Sequence, residues 1–584
     1  MTRHLPTAAA LALLAAAPFA LSPFTLTLLG YVGIYSLAAL GLVLLTGIGG
    51  IVSFGQAAFV GIAAYTTAYA TTAYPISPWI GLALALAVTC TTATLVGALT
   101  LRLRGHFLSL STVAWGLAIY YLFGTLDGLG GHNGIADIPP ITLGSIPLTT
   151  GPAPFYLIWA TVAAALLLTT NVLRARPGRA MHVLRGGNIL AESLGIDPFR
   201  TRLTLFVLSA ALAALSGWLY AHLGRFVSPS SFNVEPGIEY LMMAMVGGSG
   251  HILGAVLGAG LVTLLKNTVQ DWLPRIAPGA AGQLEIVVFS ILFILVLQRA
   301  RNGLAPILLN LLPTAPPPLP SPVPPMPRRT QPEPGQPLLQ VENLVRRFGG
   351  LTAVDDVSFT VRTGEILGLI GPNGAGKTTL FNLVTAALPP TAGRIAFAGR
   401  PLPRTQRHAA RAGIARTFQH VKLRPRMTLL DTVLLGTHTR TTTGLLAAAL
   451  TLNRTEDAAA RHEALRHLHR TGLTNPQDLA GNLPLGQQRL LEIARALAAD
   501  PLLLVLDEPA AGLRRPEKQA LAALLRALRA EHLTILLVEH DMDFLMSLAD
   551  RVVVMQFGTK LTEGDPAQVR TDPRVREAYL GPPE

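Results

Sequence analysis

Apolar positions in the first half of the chain form runs too long for a globular core. They cover about 24–46, 51–74, 78–101, 107–126, 154–173 and 203–223, with a shorter run at 284–298. Roughly 20 apolar residues in a helix cross the hydrocarbon layer of a bilayer, so each long run predicts a membrane-spanning helix. The run 5–21, preceded by Arg3 and His4, fits a signal peptide or a retained first helix; the spans that follow at once favour the helix. From Leu338 onward the pattern changes. Short, predominantly apolar stretches at 365–371, 502–507 and 533–539 alternate with helical segments. That alternation predicts buried parallel strands in an α/β domain.

Charge sharpens the division. From His4 to Leu101 there are 98 residues without a Lys, Arg, Asp or Glu. Residues 1–300 hold 13 basic and 8 acidic side chains; the other 284 hold 33 and 25. The oily half therefore requires a lipid bilayer, and the second half has the composition of an aqueous domain. One cysteine, Cys90, excludes a disulfide scaffold and a cysteine-built metal site. The net charge of +13 comes without any helix–turn–helix, zinc or RNA-binding signature, so no nucleic-acid partner is expected.

Loop charge gives the orientation. Residues 174–202 carry six arginines (174, 176, 179, 185, 200 and 202) against Glu192 and Asp197 and read as cytoplasmic. Residues 128–153 have no Lys or Arg and read as extracytoplasmic. Arg299 and Arg301 place the end of the last span inside. Parity then requires 238–266 to return to the side it left, with Gly247, Gly248, Ser249 and Gly250 at the bend. Two short helices or a re-entrant hairpin are predicted there. Residues 313–337 hold 12 prolines in 25 positions, which predicts a semi-rigid extended spacer. The expected organisation is a polytopic transmembrane domain over 1–312, a Pro-rich linker over 313–337 and a nucleotide-binding domain over 338–584.

The chemistry lies in the last of these. Gly371-Pro372-Asn373-Gly374-Ala375-Gly376-Lys377-Thr378-Thr379 follows a strand and opens a helix, the context of a phosphate-binding loop. Its glycines let backbone N–H groups surround phosphate oxygens, Lys377 adds a charge for the β- and γ-phosphates, and Thr378 offers Mg²⁺ a hydroxyl. The apolar stretch 502–506 ends in Asp507 and Glu508. Asp507 suits the Mg²⁺ shell. Glu508 suits a general base acting on water.

With Pro509 after those acids and Leu483-Pro484-Leu485-Gly486-Gln487-Gln488 upstream, residues 338–581 resemble the nucleotide-binding domain of an ABC transporter. The implied fold is an α/β P-loop NTPase following a helical membrane domain. The implied activity is ATP hydrolysis coupled to transport, with ATP and Mg²⁺ as cofactors. The resemblance implies that Phe348 stacks on adenine, that Gln419 joins Asp507 and Thr378 at Mg²⁺, and that His540 holds the γ-phosphate. It also implies that Leu483, Leu485, Gly486 and Gln487 form a signature serving the ATP bound by a facing partner domain. Pro484 departs from the family serine and supplies neither hydroxyl nor N–H; Arg514 stands where relatives carry a small polar residue. The expectation is an asymmetric pair of sites in which Pro484 impairs the one it serves. The run from Ala549 to Gly581 resembles the end of the ATPases of branched-chain amino acid uptake systems.

The membrane half resembles a permease of the same systems. Residues 40–51 with Ser53-Phe54-Gly55-Gln56, Leu101-Arg102-Leu103-Arg104-Gly105, Asn133-Gly134-Ile135, residues 226–232, and Gly247-Gly248 with Gly254 carry that likeness. Residues 178–197 look like the coupling helix that docks on the ATPase. The spans hold almost no ionisable group away from their ends, which argues against an ion-driven carrier. The implied function is ATP-driven import of a small polar solute, branched-chain amino acids first; urea or short amides are the alternative, and a half-exporter a weaker one. The implied partners are a second permease, a second ATPase and an extracytoplasmic solute-binding protein, or a second copy of this chain. The implied location is a cell (inner) membrane, with the ATPase domain in the cytoplasm.

Overall fold

The computed structural model describes residues 5–103, 105–144, 146–148, 152–276, 281–299, 303–309 and 323–580. Arg3, His4, Arg104, Arg301, Gly581 and residues 313–322 of the linker therefore lie outside the described residues. The chain divides into two compact units that are not consecutive blocks. One comprises 1–174 and 199–317, the other 175–198 and 318–584. Residues 175–198, the middle of the Arg-rich loop, thus fold with the second unit.

In the first unit, helices α1 (Leu5–Ala20), α2 (Pro23–Leu42), α3 (Gln56–Ala73), α4 (Pro78–Thr100), α5 (His106–Thr125) and α6 (Ala153–Arg174) follow in order. After the short helices α7 (Arg176–Val183) and α8 (Asn188–Ser193), which belong to the other unit, come α9 (Pro198–Gly224), α10 (Val234–Gly248), α11 (Gly254–Ile276), α12 (Ala281–Arg299) and α13 (Leu304–Leu309). Among the described residues five helices are long and apolar enough to cross a membrane: Pro23–Ile48, α4, α5, α6 and α9. Helix starts follow local rules. Ser22 and Ser77 accept backbone hydrogen bonds ahead of Pro23 and Pro78, whose missing N–H costs nothing in a first turn. The loop between α5 and α6 carries a two-stranded ladder, β1 (Thr142–Leu143) with β2 (Ile146–Pro147).

Several buried polar groups inside this unit pair with one another, which offsets the cost of taking them out of water. Gln56 is fully buried. Its amide donates to the carbonyls of Ala38 and Ser209, and the Ser209 hydroxyl donates back to it at 3.1 Å. His222 lies 2.9 Å from the Thr67 hydroxyl and 2.7 Å from the Pro139 carbonyl. Lys266 of α11 donates to Glu239 of α10 at 2.6 Å. The chain breaks between α10 and α11 at residues 249–253, where the sequence predicted a bend, and the two helices pack together. A Cβ on Gly247 would stand 1.7 Å from the Gly254 carbonyl oxygen, and one on Gly258 would stand 1.8 Å from that of Met243. Only glycine permits that backbone approach.

The second unit contains two sheets. β3 (Pro337–Phe348), β4 (Leu351–Arg362), β6 (Ala392–Phe397) and β7 (Arg400–Pro401) form an antiparallel sheet in the order β4-β3-β6-β7. The other sheet uses β5 (Ile366–Ile370), β8 (Ile414–Arg416), β9 (Leu503–Asp507), β10 (Thr534–Val538), β11 (Arg551–Gln556) and β12 (Thr559–Gly564), in the order β12-β11-β5-β10-β9-β8. Pairing is parallel except at β12. Every residue of β5, β9 and β10 is buried, which explains why these three were continuous apolar runs in the sequence. Around the sheets lie α14 (Lys377–Val384), α15 (Gln406–Ala412), α16 (Leu429–Leu434), α17 (Leu445–Ala449), α18 (Arg454–Arg470), α19 (Leu485–Leu497) and α20 (Arg515–Ala530).

Candidate functional site

β5 delivers the chain into the phosphate loop, and α14 leaves it. Gly371 and Gly376 have φ of 155° and 92°. Side chains there would meet backbone: a Cβ on Gly371 would lie 2.2 Å from the Met555 oxygen, and one on Gly376 would lie 2.3 Å from the Ala353 oxygen. Gly374, also at positive φ, faces open space. The loop is therefore held from behind by β4 and β11 and open in front, at the start of a helix, the form of an anion cradle. Lys377 is buried, and its ammonium donates to the carbonyls of Gly371 at 2.7 Å and Pro372 at 3.0 Å. Burial lowers its pKa, while Glu508 and Asp507 pull the other way. Asn373 and Thr378 are exposed, Pro372 and Thr379 partly so, and Ala375 is buried.

The acids stand at the carboxyl end of β9. Asp507 is buried, its pKa raised by burial and opposed by Arg416. Glu508 takes the left-handed backbone region at φ 46°, a strained state for a residue with a side chain. Its N–H donates to the Val538 carbonyl at 2.8 Å, which pins the turn to β10. Its carboxylate lies 2.8 Å from His540 Nε2 and accepts from the Gln419 amide at 3.1 Å. The structure thus brings Gln419, Glu508 and His540 together from three separate segments. Phe348 sits half-exposed at the end of β3 with Arg346 4.5 Å over its ring.

Leu483, Pro484, Leu485, Gly486 and Gln487 lead into α19. Pro484 is its N-cap and makes no side-chain capping bond. A Cβ on Gly486 would lie 2.4 Å from a Glu517 carboxylate oxygen, and Glu517 also accepts from the Arg514 amide. An acid therefore stands beside the start of this helix.

Two groups escaped the sequence reading. Arg416 lies 4.6 Å over Phe381 and 4.8 Å over Phe418 and donates to Asn382 and Thr385. Burial pushes its pKa down to about 10. Glu539 is buried, accepts the amides of Ala510 and His540, and is raised by burial. Each also binds partners far along the chain, Asn382 and Thr385 for Arg416 and Ala510 for Glu539, which local spacing does not reveal.

The segment 175–198 is seated in the same unit. It forms two short helices, α7 and α8, where one coupling helix was expected over 178–197. Ala180, Val183, Leu190, Ala191, Leu194 and Ile196 share a buried cluster with Phe418, Met427 and Leu435. Arg179 pairs with Asp457 at 2.7 Å, and Arg407 with Asp197. Arg176 donates to the His438 carbonyl at 3.2 Å. Asp457 is lowered overall: burial raises it, and Arg179 and Arg461 more than offset that. His182 is pushed down to about 4 by burial and by Arg424. His438 falls well below its ordinary value through burial and the charges of Arg176, Arg179 and Arg411.

A phosphate cradle backed by a buried parallel sheet, with a carboxylate flanked by Gln and His at the next strand end, defines a nucleotide-hydrolysing cassette; joined to a unit of long apolar helices, it defines an ABC transporter. Residues 24–297 match the family "branched-chain amino acid transport system / permease component", 354–511 the ABC transporter family, and 559–581 the family "branched-chain amino acid ATP-binding cassette transporter". The high-affinity branched-chain amino acid transport ATP-binding protein LivG of Salmonella typhimurium is 45% identical over 251 residues, 42% of this chain and 98% of LivG. The high-affinity branched-chain amino acid transport ATP-binding protein BraF of Pseudomonas aeruginosa is 43% identical over 253 residues, again 42% and 98%. A solved nucleotide-free ATP-binding cassette from an ABC transporter matches with 31% identity and a TM-score of 0.38, covering 42% of this chain and 100% of that one. The chain belongs to the branched-chain amino acid family of ABC transporters, with permease and ATPase in one polypeptide. Its ATPase domain binds ATP and hydrolyses it in coupling to transport.

Proposed function

We propose that this chain imports branched-chain amino acids across the cell's inner membrane. In this reading 1–312 is the permease domain, 313–337 the linker and 338–584 the ATPase domain, on the cytoplasmic side. A second permease, a second ATPase and an extracytoplasmic solute-binding protein complete the machine. The carrying observation is the adjacency of Phe418 and Gln419: Phe418 packs in the cluster that holds the coupling segment, and Gln419 touches Glu508. A change at the nucleotide is thereby one residue away from the segment leading to the spans.

Lys377 and the loop amides bind the phosphates, and Phe348 takes the adenine. Thr378, Gln419 and Asp507 would hold Mg²⁺, which when bound would supply positive charge against that developing on the transferred phosphoryl group. Glu508 accepts the proton of the attacking water, its strained backbone aiming the carboxylate, and His540 supports the γ-phosphate. Leu483, Leu485, Gly486 and Gln487 serve a partner's ATP, with Pro484 weakening that second site.

Uptake of labelled amino acids, short amides and urea by cells with and without the chain tests the reading. Loss of branched-chain amino acid uptake alone is expected. Selective loss of urea or amide uptake would replace the cargo, and increased retention of solute would reverse the direction.

A further inference from the structure

The proline-rich linker is more than a spacer in its second half. Residues 323–336 have no helix or strand, yet Met326 is only 6% exposed and lies in a cluster with Leu429, Leu430, Val433 and Leu434 of α16 and Ala460 and Ala464 of α18. The Arg440 guanidinium donates to the carbonyls of Pro327 at 3.0 Å and Met326 at 3.5 Å, to Glu463 at 2.9 Å and to the Ala498 carbonyl at 3.2 Å. The Arg329 amide donates to Asp500 at 2.5 Å, and its guanidinium to the Arg411 carbonyl at 2.8 Å.

These bonds end on both walls of the socket that seats the coupling segment. One wall is the turn 436–440 with α18, which receives Arg176 and Arg179 through His438 and Asp457. The other is α15, which packs on α8 and holds Asp197 through Arg407. The walls converge at Gly195, whose Cβ would meet both Thr439 and Arg411. Arg440 ties residues 326–327 to the first wall, and Arg329 ties them to the second. A free spacer has no need of a buried methionine or a buried cation satisfied by its carbonyls. Pro324, Pro325 and Pro327 fix three φ angles, so little chain entropy is lost when the segment lies down.

We propose that residues 326–329 are a brace and that Met326, Arg329 and Arg440 are positioning residues for coupling. They hold the two walls in register so that movement at the nucleotide site reaches the coupling segment undiminished. The proposal rests on the coupling role given to 175–198 above. It is read as solute moved per ATP hydrolysed, with the complete transporter and its partners in lipid vesicles. Met326→Ser combined with Arg329→Ala is expected to lower that ratio by at least about fivefold, the lower range of ordinary coupling between sites, with nucleotide affinity unchanged. Met326→Leu should keep the ratio, and Arg329→Ala alone, which removes only the Arg411 link, should lower it in part. Arg179→Ala tests the coupling role itself. If Arg179→Ala lowers the ratio while the brace variants leave it intact, the brace is overturned and the coupling reading stands. If neither changes it, both fall.

Discussion

The ATPase unit presents two edges of opposite character. At the phosphate-loop edge every part converges: an open glycine cradle, a buried lysine, and Glu508 held between Gln419 and His540. At the signature edge the helix starts with a proline that caps nothing and has the Glu517 carboxylate beside Gly486. A helix N-terminus favours an anion by its amides and dipole; an acid placed there works against one. Under the proposed pairing with a second ATPase, the contrast gives one domain a well-equipped site for its own nucleotide and a poorly equipped one for its neighbour's.

The sharpest way to break the contrast is Glu508→Gln. Removing a general base should lower ATP turnover by about 10²–10⁴-fold while nucleotide binding persists; turnover at the unaltered rate would take the first edge's advantage away. Lys377→Ala should weaken nucleotide affinity by roughly tenfold or more, the worth of a charged hydrogen bond, as read by titration with a fluorescent nucleotide. Acid should loosen the coupling segment. His182 titrates at about 4 when docked against an ordinary 6.5, so docking holds at neutral pH and is lost as pH falls between those values. Faster proteolysis of residues 176–198 over that window, with Glu508 chemistry assayed in parallel, separates docking from catalysis. The smallest effect belongs to Pro484→Ser, which regains about one hydrogen bond. A rise in turnover of roughly fivefold or less is expected in the assembled transporter; no rise would show that proline is not what limits the second edge.

The legibility of the sequence followed the range of the interactions. The phosphate loop was visible because its glycines, lysine and hydroxyl are neighbours, and because β5, β9 and β10 are buried on both faces. The bend between α10 and α11 was visible through charge parity and a glycine cluster. The socket was not, since Arg179 and Asp457 are 278 positions apart and Arg176 and His438 are 262. Arg416 was hidden likewise, since Asn382 and Thr385, which it binds, are 34 and 31 positions away. The linker misled most: its prolines announced stiffness correctly, but nothing local in Met326 or Arg329 announced that they had a place to bind.

The contact between Gly247 and Gly254 has a consequence for how this permease tolerates substitution. Where main chain rests on main chain, even an added methyl must push two rods apart. A side chain at either position would have to reposition one helix against the other, so the seam fixes how closely α10 and α11 can lie.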